Sequence, residues 1–467
     1  MNRSCMRVTR SSVSLLTAAA AVVAFSTLCR QASSFVPTAC VSRGTSIAPA
    51  ARGSGVYSRI IAASTRRCDV ARGVRGRRPM MVVEGVSSRG LVFPTDKEEG
   101  WFDSATVGSP RVHRYLHDEG SRWVMWYHGQ DTNFGEDSDG KRVLDIGTGR
   151  IGRAESSDGL TWRRTAGQMP LSSVLDKNTD QWWGFDTAHV GLGDVNLGAS
   201  SRVATESSVY FMYYFGGNYE ETDLGAEYGL TNPVASGSSN APFAGVQLRI
   251  GVALSQDGVN WCVCRVEGEH SSGACVDVGG DGEWDRLFVG WPVVLNHREQ
   301  EFRMYYHAFD PDSKKFKVGM ASSQDGIAWE KQGVVFEGGP EGAFDEGGAG
   351  RRRVVIINGM YHMVYEGVDK DGVHALGLAT SADGVKWERN SDRPIFERSA
   401  PGSGAWDAGG VSNPELVDTE NGGWYLYYTG QPEKGSDKGE EKGVARSSIG
   451  VAVATGNDLT SWTRVEA

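Results

Sequence analysis

Val318-Gly-Met-Ala-Ser-Ser-Gln-Asp-Gly-Ile-Ala-Trp329 is one of five versions of the same passage, and the rest of the chain keeps step with it. The others run 151–162, 250–261, 376–387 and 449–462, and four of the five contain Ser-x-Asp-Gly-x-x-Trp. Alternating small and apolar residues make a first strand, Asp-Gly predicts a tight type I′ turn, and the Trp opens the returning strand. Each passage therefore reads as a β-hairpin.

Two more signatures recur in the same order. An aromatic strand precedes each hairpin, at 123–127, 210–214, 302–306, 361–365 and 424–428. An aromatic-Asp pair precedes that: Phe102-Asp103, Phe185-Asp186, Trp284-Asp285, Phe344-Asp345 and Trp406-Asp407. Nine residues after each Asp stands Val112, Val195, Val294, Val354 or Leu416, within a further apolar strand. Five units of four antiparallel strands, 60 to 99 residues apart by the aromatic-Asp marker, predict an all-β, five-bladed propeller over 89–467.

Units three and four continue past the Trp as Gly333-Val-Val-Phe336 and Arg393-Pro-Ile-Phe396, whereas the fifth stops at Ala467. Gly90-Leu-Val-Phe93 matches that missing tail. The N-terminal segment is thus expected to close the last blade, with 91–93 paired beside the strand that starts at Trp462, leaving no open edge.

Residues 1–80 are built differently, with thirteen Arg, no Lys and one acid, Asp69. Arg3, Arg7 and Arg10 precede an apolar run at 13–29 that suits a signal-peptide core, so 1–34 is expected to be a signal peptide and no span remains in the mature protein. The stretch 35–80 is Arg- and Ser-rich and acid-poor, as transit peptides are. The junction Ala32-Ser-Ser-Phe35-Val-Pro37 resembles the bipartite presequences of algae with secondary plastids, which implies a plastid address. The alternative is a secretory signal followed by a basic linker.

That segment carries a formal +12, so the remainder of a chain whose total is −10 carries about −22. An acidic domain argues against nucleic acid or an anionic membrane as partner. Cys262, Cys264 and Cys275 are the three cysteines outside the presequence, a poor disulfide framework. His270 near Cys262 and Cys264 keeps a zinc reading open, but idle thiols explain them more simply, and no metal or cofactor is expected. A P-loop, a dinucleotide fingerprint and a nucleophile elbow are all missing from convincing context.

The topology sorts the loops onto two faces. The Asp-Gly turns share one face with the turns between first and second strands. The opposite face carries the long insertions at 129–149, 216–248 and 430–447, and binding residues concentrate where loops vary over a rigid scaffold. The insertion 217–244 reads either as a lid or as a mobile surface loop.

Five blades, aromatic second strands ending Tyr-x-Gly, and Ser-x-Asp-Gly-x-x-Trp hairpins resemble the five-bladed propellers of glycoside hydrolase families 43 and 32, from about residue 90 to 467. The resemblance implies a saccharide at the axis and three carboxylates on inner strands, the first commonly in an Asp-Pro pair. The matching position here is Ser109 before Pro110, with Leu192, Trp291, Arg351 and Asn413 in the other blades, and none is acidic. The family's catalytic Asp is not carried over.

Cleaving a glycosidic bond needs two carboxyls about 5 to 10 Å apart. The five repeated Asp residues recur as scaffold does, which points to a turn-capping role. Residues that break the repeat are better candidates. Following the aromatic pair of each second strand stand His128, Phe215, His307, Glu366 and Thr429. Two positions beyond the pre-proline site stand Arg111, Asp194, Val293, Arg353 and Glu415. Glu366, Glu415 and Asp194 are the candidate catalytic carboxyls. His128, His307, Trp291, Arg351, Asn413 and Ser109 are the candidates for gripping a sugar. Either the chain is a monomeric enzyme acting on a saccharide, hydrolase or transglycosylase, or it is an inactive propeller that binds glycans or proteins.

Overall fold

The computed structural model describes residues 7–8, 89–95, 101–118, 120–131, 143, 149–198, 209–230, 242–266, 272–298, 301–419, 422–433, 440–441, 444–454 and 458–466. Apart from residues 7–8, the expected signal and transit segments lie outside these, as does His270. No helix among the described residues is long and apolar enough to cross a membrane.

Five antiparallel four-stranded sheets stand among the described residues. Blade 1 is Thr106–His117, Gly120–Gln130, Arg150–Ser156 and Arg163–Thr165. Blade 2 is His189–Leu197, Tyr210–Gly217, Arg249–Ser255 and Cys262–Val266. Blade 3 is Gly290–Arg298, Glu301–Asp310, Lys315–Ser323 and Glu330–Phe336. Blade 4 is Gly348–Ile357, Met360–Val368, His374–Ser381 and Glu388–Arg389. Blade 5 is Gly410–Asp418, Trp424–Gln431, Ser448–Ala454 and Thr463–Arg464. The first strands pack side by side in a closed cycle, blade 5 meeting blade 1, so the sheets ring an axis as a β-propeller.

The hairpin turn differs from expectation. Gly159, Gly258, Gly326 and Gly384 have φ between +70° and +75°, but the Asp before each does not enter the left-handed region. A type I′ turn needs both residues there. Side-chain caps shape the loop instead: Ser156 Oγ accepts from the N–H groups of Asp158 and Gly159, while Asp158 Oδ1 accepts from those of Leu160 and Thr161 at 2.8 and 2.7 Å. Blades 2, 3 and 4 repeat this pattern.

These loops also join neighbouring blades. Trp126 Nε1 donates to the Gly258 carbonyl at 2.8 Å, Tyr213 to Gly326 at 2.9 Å, Tyr305 to Gly384 at 2.8 Å, and Tyr427 to Gly159 at 2.7 Å. The series breaks where blade 4 carries Val364 and the facing blade 5 hairpin lacks Ser-x-Asp-Gly. There Val364 and Leu459 share an apolar cluster, so both partners of the hydrogen bond are replaced together.

Every repeated Asp is buried between a tyrosine and a cation. Tyr127, Tyr214, Tyr306, Tyr365 and Tyr428 donate to Asp103, Asp186, Asp285, Asp345 and Asp407 at 2.7–3.0 Å. Arg164, Arg265, Lys331, Arg389 and Arg464 of the fourth strands pair with the same carboxylates at 2.5–2.9 Å. The repeated Asp ties the second strand to the fourth in each blade. Third-strand glycines leave room for the adjacent ring; a Cβ on Gly319 would sit 2.7 Å from Trp284.

Strand 91–93 closes the ring, though not side by side with the Trp462 strand. Leu91 pairs with Gly450 while Arg464 pairs with Ala452, so both segments lie end to end along one edge of Ser448–Ala454. The Gly90 N–H bonds the Val465 carbonyl at 2.8 Å, making a composite fourth strand. Phe93, Phe336 and Phe396 each meet the next blade's tyrosine edge-on at 4.8 Å, so the matched tails also match in packing.

Candidate functional site

First strands begin at the axis with a bulge, and the bulges shape one end of the axis, called the mouth below. Ser109, Trp291 and Asn413 sit at register shifts before proline with φ of +47°, +47° and +51°. Left-handed backbone costs a non-glycine residue about 1–3 kcal/mol and persists only where neighbours hold it. Here they do. Thr429 Oγ1 accepts from the Ser109 N–H at 3.0 Å, Glu366 Oε2 accepts from the Asn413 N–H at 3.3 Å, and Arg352 donates to the Trp291 carbonyl. Arg351 fills the equivalent place in blade 4. Leu192 of blade 2 turns into an apolar cluster.

Second strands contribute one residue each at a common height. His128, Phe215, His307, Glu366 and Thr429 pair across to Ile151, Ile250, Val318, Leu376 and Ile449. Since these partners start the same hairpin in every blade, the five residues form one tier around the axis.

A continuous chain of contacts crosses this tier. Ser109 Oγ donates to Asn413 Oδ1 at 3.0 Å, and Asn413 reaches Glu366 through its N–H. Arg351 Nη1 donates to both Glu366 oxygens at 3.1 and 3.4 Å, and its guanidinium lies 4.6 Å over the Trp291 ring. Trp291 stacks on His307 at 4.8 Å with 15° between planes and tilts against Phe215 at 4.2 Å. One wall of the mouth is aromatic and the other polar.

The electrostatics follow from burial and these contacts. Burial alone would push the Glu366 carboxyl up, but Arg351, His374 and the Asn413 N–H hold it down to about 2, so it is ionised. His374 Nδ1 lies on Glu366 Oε1, with its side chain 38% exposed against 2% for Glu366. Burial and the cations Arg352 and Arg351 hold His307 neutral, well below its ordinary value. Burial, reinforced by His189 and Arg351, holds His128 down to about 3. The buried Nε2 of His128 has no hydrogen-bond partner.

Beneath this tier the axis is filled by an ion ring. Arg111 meets Glu415 at 3.2 Å and Asp194 at 3.8 Å, and Arg353 meets Asp194 at 2.9 Å and Glu415 at 3.4 Å. The Asp194 and Glu415 side chains are each 1% exposed. Asp194 also accepts from the Val294 N–H at 2.8 Å. Burial pushes the Glu415 carboxyl above its ordinary value, against the pull of Arg353 and Arg111. The ring therefore separates two of the three candidate carboxyls from the mouth by wrapping each in guanidinium groups.

Of the sequence candidates, Glu366, Arg351, Trp291, His307, Asn413 and Ser109 are linked in one chain of contacts. His128 shares their tier and feels the Arg351 charge. Asp194 and Glu415 are brought together one tier lower. Sequence reasoning did not single out His374 or Arg352. His374 stands two residues before Leu376, where blade 3 has Phe316 and blade 5 has Ser447, so it breaks the repeat at the start of a third strand rather than on a second. No group of three or more His, Cys, Asp or Glu suited to a metal occurs among the described residues.

The insertion between the second and third strands of blade 2 carries elements of its own. Glu221–Thr222 pairs with Phe243–Ala244, and Leu224–Tyr228 forms a helical turn capped by Asp223. Leu224, Tyr228 and Leu230 pack with Leu287, Phe288 and Phe309, and Phe288 lies 6.3 Å from Trp291. The insertion thus reaches the aromatic wall. A shallow groove of about 450 Å³ lined by 334–338, Trp387 and Arg389 contains none of the axial residues.

No protein-family model matches the sequence, and no curated protein does. Solved structures share the fold. One described as a glycoside hydrolase superposes with a TM-score of 0.52 at 18% identity, over 82% of this chain and 95% of that one. A structure titled for the GH130 family of mannoside phosphorylases, containing glycoside hydrolases that target β-1,2 mannosidic linkages in Candida mannan, gives 0.50 at 17%, over 81% and 98%. An N-acetylgalactosamine deacetylase from F. plautii, in complex with blood group B trisaccharide, gives 0.51 at 15%, over 80% and 96%. The chain shares its β-propeller fold with these structures.

Proposed function

We propose that this is a carbohydrate-active propeller that holds a saccharide at its axial mouth. The observation that carries the reading is the contact chain from Ser109 through Asn413, Glu366, Arg351 and Trp291 to His307, which draws on four blades. A sugar presents an apolar C–H face and a rim of hydroxyls. Trp291 fits the first; Glu366, as acceptor, and His307, as donor, fit the second.

Binding without cleavage is the reading this donor set supports best. Glycosidic cleavage needs a proton donor beside an ionised carboxylate. Glu366 is ionised, and Asp194 and Glu415 are each held by two arginines. Cleavage by a set like that of families 43 and 32 is the second reading; burial pushes the Glu415 carboxyl up as a proton donor requires, but the ion ring would have to open for it to reach the mouth.

A glycan array probed with the purified protein tests both. Retention of a defined glycan, lost by tenfold or more in Trp291→Ala and without release of reducing ends, supports the binding reading. Release that Glu415→Gln abolishes would install the second. Retention of no glycan, or retention indifferent to Trp291→Ala, overturns the site.

A further inference from the structure

Along the axis the charges do not balance. Arg111 and Arg353 share Asp194 and Glu415, and Arg351 has Glu366. Arg352 is left: four guanidinium groups face three carboxylates. Its side chain is fully buried. It donates to the Gly350 carbonyl at 3.0 Å, to the Tyr305 carbonyl at 2.5 Å, to the Trp291 carbonyl and to His307 Nδ1 at 3.1 Å, and its Nε has no partner. No carboxylate is among these partners. The attraction of Asp194 and Glu366 offsets only part of the cost of burial, so this buried cation, with no carboxylate bonded to it, raises the local potential over what it touches. Burial and then Arg111 push Arg352 down to about 9, which leaves it charged at neutral pH.

Arg352 touches the two residues that wall the mouth. Because it donates to Nδ1, His307 carries its proton on Nε2 and acts as a fixed, polarised donor. Because it also holds the Trp291 carbonyl, the indole stays stacked on that imidazole. Arg352 is therefore a positioning residue, and its charge lies behind the groups that meet a ligand.

We propose that the saccharide held at this mouth carries an anionic group, a carboxylate or a sulfate ester, which accepts from His307 Nε2 and supplies the missing counter-charge to Arg352. The inference rests on the saccharide reading above and names its class. The acidic exterior, about −22 beyond the presequence, disfavours long polyanions, so the ligand is a short saccharide with one or few charges.

The test is calorimetric titration of the purified protein with matched pairs: short uronate oligosaccharides against neutral ones of the gluco, galacto and manno series, 6-sulfated against unsulfated sugars, and inorganic sulfate alone. The expected result is a pair in which the anionic member binds at least tenfold tighter, about 1.4 kcal/mol. His307→Ala should weaken both members, the anionic one by at least tenfold more, and so bring that ratio towards one. Arg352→Met should do the same, and where it fails to fold the His307→Ala ratio stands in its place. A structural role alone would move both members together. Equal affinity within every pair overturns the anionic inference and leaves the saccharide reading intact. Binding of neither member in any pair overturns both, and sulfate alone binding as tightly as the sulfated sugar overturns the saccharide part.

Discussion

At the scale of single residues, position in the repeat separates scaffold from site. Asp325 is exposed and takes two backbone N–H groups at 2.8 and 2.9 Å on the far face. Asp325→Ala should lower stability by about 1 kcal/mol, as losing a cap does, and leave glycan binding unchanged. Asp345 is fully buried with Tyr365 and Arg389 on it. Asp345→Ala strands both partners and should cost about 3 kcal/mol or more, read as an early thermal melt. Glu366 gives a pH signature. Its folded value of about 2 lies below the unfolded value, so its stabilisation is present above about pH 4.3 and lost as pH falls towards 2. Denaturant titrations between pH 7 and 2 should show an acid limb worth about 3 kcal/mol that Glu366→Gln flattens; an unchanged limb would assign it to other carboxylates.

At the scale of elements, the hairpins explain why the fold was legible and the site only partly so. Ser-x-Asp-Gly-x-x-Trp encodes a local loop whose caps come from its own residues, so one sequence window contains the whole cause. Even there the turn type was misread, because Ser and Asp side chains replace the second left-handed residue. The tier of His128, His307 and Glu366 followed from counting along second strands. The ion ring did not, since Arg111 finds Glu415 only after ring closure brings positions 304 apart together. Arg352 was invisible for the same reason, since His307, Trp291 and Tyr305, three of its four partners, belong to the neighbouring blade. The composite fourth strand yields a direct test. Deleting 89–96 removes the Phe93 contact with Tyr127 and opens the edge of Ser448–Ala454. The melting temperature of the whole domain should fall, and a single unchanged transition would contradict closure by this segment.

At the scale of the whole molecule, the charge contrast between 1–80 and the propeller bears on location and the axis bears on function. We propose that the presequence is a bipartite plastid address. A reporter fused to 1–80 should enter the plastid of an alga with secondary plastids and be diverted by Phe35→Ala, while secretion of both would leave only the signal peptide. The propeller itself is held by devices repeated around the ring, the Tyr–Asp–cation ties and the aromatic bonds to the next hairpin, whereas the residues at one end of the axis do not repeat. The account rests on that asymmetry. Its most direct test is a crystal structure of the protein with a glycan retained on the array. The prediction is a sugar ring over Trp291 with a polar group within about 3.2 Å of Glu366 or His307. A sugar bound on the Asp-Gly face or in the perimeter groove, with the axial mouth empty, would contradict it.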